Sequence, residues 1–343
     1  MTKIIITGGN GFIGSHIVEA FCRHGYDISC LVRPSADISA INHLPVKIIH
    51  GDITDFSGLS ELFMGFDHVI HNAALVSDWG SSESFHQANV EGSENVLRAC
   101  GVNGINDIIM TGTISAYGEE DCLTIKNETS ALNPHYPYFL HTIFPSAMNH
   151  YRDSKTFAVR RAVRFAEEHH MNLTVLEPVW VYGEREFHTG FYEYVKSAQS
   201  GLPVAPGSKL NKFHVIYAGD LAEAYVRAYE QKIKGVHRLI IGNHQAELMD
   251  DIMFHFCREA GVDKPRNGPK WLLYPIGFVL ELLWSILGVR NPPLLTRSRV
   301  NMFYDNIEYS TEKARRLLGE FCFHDLQKGI GRTVQWYRDN NYL

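Results

Sequence analysis

Short, largely apolar runs alternate along this chain with longer segments whose apolar positions recur every three or four residues. The runs at 4–6, 28–32, 46–50, 69–71, 105–110 and 236–241 are too short for helices and read as buried strands. After the first of them, Ile13, Ile17 and Phe21, with Val18 and Cys22 beside them, repeat at helical spacing, and Gly25 is placed to end that helix. Residues 85–100, 191–199 and 221–229 are read as further helices. So is the stretch that begins at His150 and continues through Ala158, Val159, Ala162, Val163, Phe165 and Ala166. Strand and helix alternating in this way predict an α/β fold with a doubly wound parallel sheet. Residues 213–220 return the chain to that sheet after an excursion. The expected division is therefore a sheet domain of 1–183 with 212–242, and a smaller, discontinuous, mostly helical lobe of 184–211 with 243–343.

The first strand breaks directly into Gly8, Gly11 and Gly14 before its helix begins. In a strand–turn–helix of this kind the first glycine permits the tight bend, the second lets backbone approach a pyrophosphate, and the third lets helix pack on strand. Phosphates then face the helix amino terminus, where free N–H groups and the helix dipole favour negative charge. The sheet is thus of Rossmann type. At the end of the second strand, where a carboxylate would receive the ribose hydroxyls of NAD, the residue is Arg33. A guanidinium suits a 2′-phosphate, so NADP is favoured over NAD. Asp52, after the third strand, can accept hydrogen bonds from an adenine amino group. The small residues of Asn72-Ala73-Ala74 leave room for a dinucleotide to cross the strand ends.

Tyr151 and Lys155 are four apart and share one helical face. A tyrosine hydroxyl ordinarily titrates near pH 10, too high for easy proton transfer at neutral pH. An ammonium one turn away, with a positive nicotinamide nearby, stabilises the phenolate and lowers that value. Thr113, just past the fifth strand, can orient a substrate oxygen while hydride moves at the carbinol carbon.

Composition narrows the alternatives. With 45% hydrophobic and 20% charged residues, a net charge of −6 and no concentrated basic patch, nothing favours nucleic acid. Cys22, Cys30, Cys100, Cys122, Cys257 and Cys322 form no CxxC pair, and they read as reduced thiols in a cytosolic compartment. Eighteen histidines show no metal-ligand spacing, so no metal is expected. No leader of the secretory type precedes the first strand, which fits the cytoplasm. Residues 271–289 carry Glu281 as their only charge. They read as a buried or lid helix over an apolar pocket, as a helix on a membrane surface, or, against Pro275 and Glu281, as a marginal span.

TGGNGFIG, the Asp52 turn, HNAA, Thr113 five residues before Gly118, YRDSK and PVWVYG together resemble the extended short-chain dehydrogenase/reductase family over nearly the whole chain. The resemblance implies that Thr113, Tyr151 and Lys155 form the catalytic triad, with Asn89 supporting Lys155 through water. It implies that Gly8, Asn10, Gly11, Phe12, Ile13 and Gly14 cradle the cofactor, that Asp52 and Ile53 lie by the adenine, and that Pro178 and Val181 lie beside the nicotinamide. Asn72, Ala73 and Ala74 belong to the same cofactor wall. Dimers packed through the helices bearing Tyr151 and Lys155 are implied by the same analogy. Several positions depart from the family pattern: Glu177 where an arginine is common, Gly112 where a serine is common, and 38 positions between Thr113 and Tyr151. The extra length, in 123–148, is expected to form part of the substrate wall.

Residues 291–297 and 309–319 are similar to the 3β-hydroxysteroid dehydrogenase branch, whose members act on sterol-like alcohols and ketones or on long-chain 3-oxo acids. Residues 310–319 also read simply as a helix with Ser310 as N-cap and Gly319 as terminator. The expected activity is hydride transfer between a nicotinamide and a secondary alcohol or ketone of a bulky apolar molecule. A nucleotide-sugar epimerase or dehydratase with bound NAD, and an NADP-sensing binding protein, are the alternatives.

Overall fold

Seven parallel strands carry the architecture of the computed structural model, which describes residues 2–118, 124–187, 190–289, 291–319 and 323–343. They are β1 (Ile4–Thr7), β2 (Ile28–Val32), β3 (Lys47–His50), β4 (His68–His71), β5 (Asp107–Thr111), β6 (Asn172–Pro178) and β7 (Val236–Ile241). Their spatial order is β7-β6-β5-β4-β1-β2-β3, so the winding reverses beside β1. The crevice at such a reversal is where ligands bind in open α/β sheets.

Every residue of β1 is buried, which is why it reads as an unbroken apolar run. Ile4 and Ile6 face one hydrophobic core, with Ile17 and Phe21 of the first helix, while Ile5 faces a second core with Val69, Val96 and Leu97. The strand period of two divides the residues between the layers. β2 and β7 have the bounds expected from sequence. β5 starts two residues later than its apolar run, because the Ile105 N–H instead bonds the Cys100 carbonyl and closes off the preceding helix at 2.9 Å.

The helix Phe12–Arg23 ends as expected, with Gly25 at φ +77° and its N–H on the Cys22 carbonyl. Residues 82–102 form a helix in three parts, Ser82–Phe85, a π-helical His86–Glu91 and Gly92–Val102. The wider turn lies at Asn89, a type of irregularity that hydrophobic period cannot reveal. Ala147–Glu168 carries Tyr151 and Lys155 in its second and third turns. The helix expected to be capped by Ser310 is Glu312–Leu318, with Thr311 at the cap position and Gly319 at its end. Tyr309 bridges to Lys126, and the Ser310 N–H bonds the Lys126 carbonyl at 2.8 Å, which holds residue 310 extended. This helix packs against β7, where Lys313 Nζ donates to the Arg238 carbonyl at 2.8 Å.

The lobe contains the helices Phe191–Gln199, Met249–Ala260, Lys270–Ile286 and Arg297–Met302. Lys270–Ile286 is turned apolar side out. Its buried residues are Leu273, Gly277 and Glu281, spaced by four on one stripe. A Cβ at Gly277 would stand 3.1 Å from the Thr296 backbone, so the glycine allows close approach to the next helix. Glu281 receives Nε and Nη2 of Arg297 at 2.8 and 2.9 Å, and Arg297 has no exposed surface. The same guanidinium donates to the carbonyls of Phe139 and Phe144. The segment 124–148 is thereby tied to this helix, with Phe139 and Phe144 against Phe278. The described cysteines, Cys22, Cys30, Cys100 and Cys257, are free thiols, and Cys122, Cys322, Arg290 and Leu123 fall outside the described residues.

Two of the departures from the family pattern are one packing event. Glu177 is wholly buried, and a Cβ at Gly112 would lie 2.7 Å from its Cγ. The Glu177 carboxylate accepts from Tyr117 Oη at 2.6 Å and from both Nε and Nη2 of Arg238, at 2.8 and 2.7 Å, on neighbouring β7. Burial raises its pKa, while Arg238 and Tyr117 oppose the rise. Gly112→Ser is expected to destabilise the protein by about 1–3 kcal/mol through overpacking. Glu177→Ala is expected to cost about 3–5 kcal/mol, because it strands a partly buried guanidinium. Urea unfolding of the two single variants and the double variant checks the pairing. The serine should cost less once the glutamate is gone, keeping the part owed to Val175 Cγ1, which a Cβ would meet at 2.8 Å, and strict additivity would exclude the shared space.

Candidate active site

The glycine turn owes its shape to the end of β4. Gly8 has φ +69°, and a Cβ there would stand 2.6 Å from the Ala73 Cα, so only glycine opposite a small residue allows the two strand ends to come together. Thr7 Oγ1 accepts the Ala73 N–H at 3.1 Å, and Asn72 Nδ2 donates to the Gly8 carbonyl at 3.3 Å. The small residues after His71 thus serve the protein's own packing. A Cβ at Gly14 would be 2.0 Å from the Gly8 carbonyl oxygen, which is the helix-on-strand contact expected of the third glycine.

At Gly11 the situation is different. A Cβ there would meet only the Gly8 oxygen, at 3.5 Å, and would otherwise project into open space. Gly11 is also the N-cap of Phe12–Arg23 and contributes no side-chain cap. The first-turn N–H groups consequently face a cavity, a cradle suited to phosphate.

That cavity, about 1110 Å³, runs from the glycine turn across the strand ends into the lobe. Arg33, Asp52, Ile53 and Asn72–Ala74 line one part of it. Thr113, Tyr151, Lys155, Pro178 and Val181 line another part, past the ends of β5 and β6. Gly8, Asn10, Gly11, Phe12 and Ile13 line it at the end of β1, between the ends of β2 and β4, whereas Gly14 and Asn89 are not among its lining residues. Arg33 is exposed at the end of β2, and no carboxylate occupies that position. Asp52 Oδ1 is engaged with the N–H and hydroxyl of Thr54, both at 2.9 Å, which fixes its side chain at the rim. The cradle, the rim carboxylate of Asp52 and the run of small residues fit a dinucleotide.

Thr113 is the N-cap of the short 3₁₀ turn Ile114–Tyr117, and its Oγ1 accepts the Ser115 N–H at 3.2 Å. Its backbone is thereby fixed with the hydroxyl at the cavity wall. Tyr151 lies edge-on to Phe85 with ring centroids 6.4 Å apart. Lys155 is 4% exposed and donates to the Thr111 carbonyl at 2.8 Å. Burial lowers its pKa from 10.5 to about 8. Asn89 does not reach the cavity. Its Oδ1 accepts the Leu75 N–H at 2.7 Å, and its Nδ2 donates to Ser154 Oγ at 3.0 Å. It thus fastens the 74–75 loop to the helix of Tyr151 and is a positioning residue.

Sequence reasoning missed the polar network beneath this floor. The Thr7 hydroxyl, which accepts from Ala73, can donate to His71 Nδ1 at 2.8 Å. His71 Nε2–H then donates to Ser93 Oγ at 2.9 Å, and Ser93 donates to the Asn89 carbonyl at 2.6 Å. This direction of donation assigns one neutral tautomer to His71. Burial, then the Lys155 charge, depresses the His71 pKa to about 3. Beside it Tyr225 Oη, Thr111 Oγ1 and Asn72 Oδ1 form a second chain, at 2.6 and 2.9 Å. Partners 39 to 114 residues apart leave no signal in local spacing.

Also missed was Arg299, on the lobe side of the cavity. It pairs with Asp78 through Nε and Nη2, and its Nη1 donates to Glu193 at 2.8 Å. The surrounding wall is apolar, with Leu202, Val204, Leu273, Leu295, Met302 and Phe303. Of the segment 124–148, Met148 reaches the cavity.

A glycine cradle at the switch point of a parallel sheet, with tyrosine, lysine and threonine on one wall, defines a nicotinamide-dinucleotide enzyme of the short-chain dehydrogenase/reductase class. Residues 4–242 match the model of the NAD dependent epimerase/dehydratase family, and the chain belongs to that family, the extended branch of the class. It is 27% identical to a 2-alkyl-3-oxoalkanoate reductase of Stenotrophomonas maltophilia, covering 96% of this chain and 98% of that one. It is 25% identical to a 3-beta-hydroxysteroid dehydrogenase of Mycolicibacterium neoaurum, covering 98% and 92%. The solved UDP-glucose 4-epimerase of Thermotoga maritima, with UDP-glucose, shares the fold at a TM-score of 0.76 and 21% identity, covering 99% and 100%.

The depressed Lys155 pKa makes a pH prediction. The ammonium is the form that stabilises a phenolate, so kcat/KM is expected to fall as pH rises through about 8. Because the folded value lies below the unfolded one, Lys155 opposes folding while protonated, and its penalty is relieved between pH about 8 and about 10.5. Lys155→Met should remove the alkaline limb, lower kcat by about 10²–10⁴-fold and leave stability near pH 7 equal or higher. A wild-type profile that stays flat beyond pH 9 would assign the lysine another role.

Proposed function

We propose that this enzyme reduces a ketone, or oxidises the corresponding secondary alcohol, on a bulky apolar molecule of the sterol-like or long-chain 3-oxo acid kind, with NADP preferred over NAD. The observation that carries this reading is the joining, in one cavity, of the Thr113, Tyr151 and Lys155 wall to an apolar lobe. A bound nicotinamide supplies the hydride acceptor or donor. The chain's own part is to hold the substrate oxygen at Thr113 Oγ1, to move its proton at Tyr151 Oη, and to stabilise the phenolate with Lys155.

The lobe side argues against a nucleotide sugar. A diphosphate calls for cationic donors, and of the two arginines, Arg152 and Arg299, that line this side of the cavity, Arg299 is already engaged by the carboxylates of Asp78 and Glu193. An apolar skeleton needs no such group. The reductase and dehydrogenase names of the two relatives agree with this choice. Arg33 at the end of β2 favours the 2′-phosphate of NADP.

Purified protein is expected to oxidise NADPH with a 2-alkyl-3-oxoalkanoic acid or a 3-ketosteroid. Tyr151→Phe should lower kcat by about 10²–10⁴-fold while cofactor fluorescence titration stays unchanged. Inactivity toward both substrate sets with cofactor bound would overturn the reading, and turnover of UDP-glucose with tightly held NAD would install the epimerase in its place. Arg33→Ala should weaken NADPH binding about 10–100-fold and change NADH binding by no more than about twofold. Equal losses for both cofactors would remove the 2′-phosphate contact.

A further inference from the structure

The outward side of Lys270–Ile286 gathers many of the exposed large apolar side chains of the described residues. Trp271, Ile286 and Leu287 are 76, 72 and 70% exposed, and Leu272, Val279 and Leu283 lie open between them. Between Trp271 and Val289 the only charge is Glu281, which is buried against Arg297. The exposed side therefore carries no charge, whereas surface helices of water-soluble proteins place charge outward. Phe139, exposed and packed on Phe278, extends the apolar surface onto the neighbouring segment. No helix among the described residues is long and apolar enough to cross a membrane.

Where this surface meets the cavity is decisive. Ile276 and Leu294 line the cavity and are also exposed, at 42 and 54%. Apolar side chains thus reach from the outside of the helix to the cavity at Ile276 and Leu294, beside the Arg299 guanidinium that donates to the Leu294 carbonyl. A second copy of the chain seated there would seal that entrance. Acyl chains would leave it usable, and they would deliver a solute that water does not dissolve.

We propose that this face docks on a lipid bilayer, lying in the headgroup and acyl boundary, and that apolar substrate enters the cavity from the bilayer past Ile276 and Leu294. An uncharged face with a terminal tryptophan suits that depth. Docking itself stands on the surface alone, and the entry of substrate rests on the function proposed above.

Flotation of the full chain with phosphatidylcholine vesicles tests it without any substrate. Wild-type protein is expected to float with the vesicles. Trp271→Glu, Ile286→Glu and Leu287→Glu combined, none of which lines the cavity, should lower the bound fraction at least about tenfold while NADPH binding and Tm are retained. The corresponding glutamine variant provides the same test should the glutamates impair folding. Wild-type protein left in the aqueous fraction, or variants that float equally well, would overturn the proposal. So would a dimer, seen by light scattering, that the substitutions dissolve while vesicle binding stays absent. Lack of ketone reduction would leave flotation untouched, so the two readings fail separately.

Discussion

The contact between the ends of β1 and β4 is the constraint on which the cavity depends. The two backbones meet where Gly8 has no side chain and Ala73 has only a methyl. Such closeness leaves backbone polar groups without sheet partners, and each buried one left unpaired would cost about 1–3 kcal/mol. Thr7 and Asn72 supply the missing partners from within the same two segments. The first turn of the following helix is thereby aimed at the cavity from a rigid origin. Thr111, bonded to Asn72, transfers that origin to β5, and its carbonyl holds the Lys155 ammonium.

The polar layer beneath the floor is buried apart from the half-buried Asn72, and it is largely uncharged. His71 stays neutral because burial and the neighbouring Lys155 both disfavour its cation. A second charge there would compete with the lysine for the same low-dielectric space. The π-helical turn at His86–Glu91 belongs to this arrangement, since Asn89 within it bonds both the 74–75 loop and the helix of Tyr151. Floor, loop and the helix of Tyr151 are consequently one connected unit.

Much of this was legible in the sequence wherever the cause was local. A glycine turn between an apolar strand and an apolar helix specifies its own geometry, and a tyrosine four residues before a lysine shares its face in any helix. The bounds of β2 and β7 followed from apolar runs with no competing signal. Illegible features arise from distant partners. The cap moved from Ser310 to Thr311 because Lys126, almost two hundred positions away, holds the chain extended. Glu177 looked anomalous until Arg238 and Tyr117 appeared around it, and Gly112 looked arbitrary until Glu177 filled the space beside it. Arg299 drew no notice, because its meaning lies in Asp78 and Glu193 on two other segments.

The internal ion pair of Glu281 and Arg297 fixes the azimuth of its helix. A roll by one residue, about 100°, would press an aliphatic side chain against a guanidinium and turn the carboxylate outward. No comparable demand is made of the opposite side, whose residues touch little of the protein. Interior and exterior of this one helix are therefore free to drift apart in sequence. Its outer chemistry can change with little effect on the orientation of the cavity wall, which a single buried acid anchors.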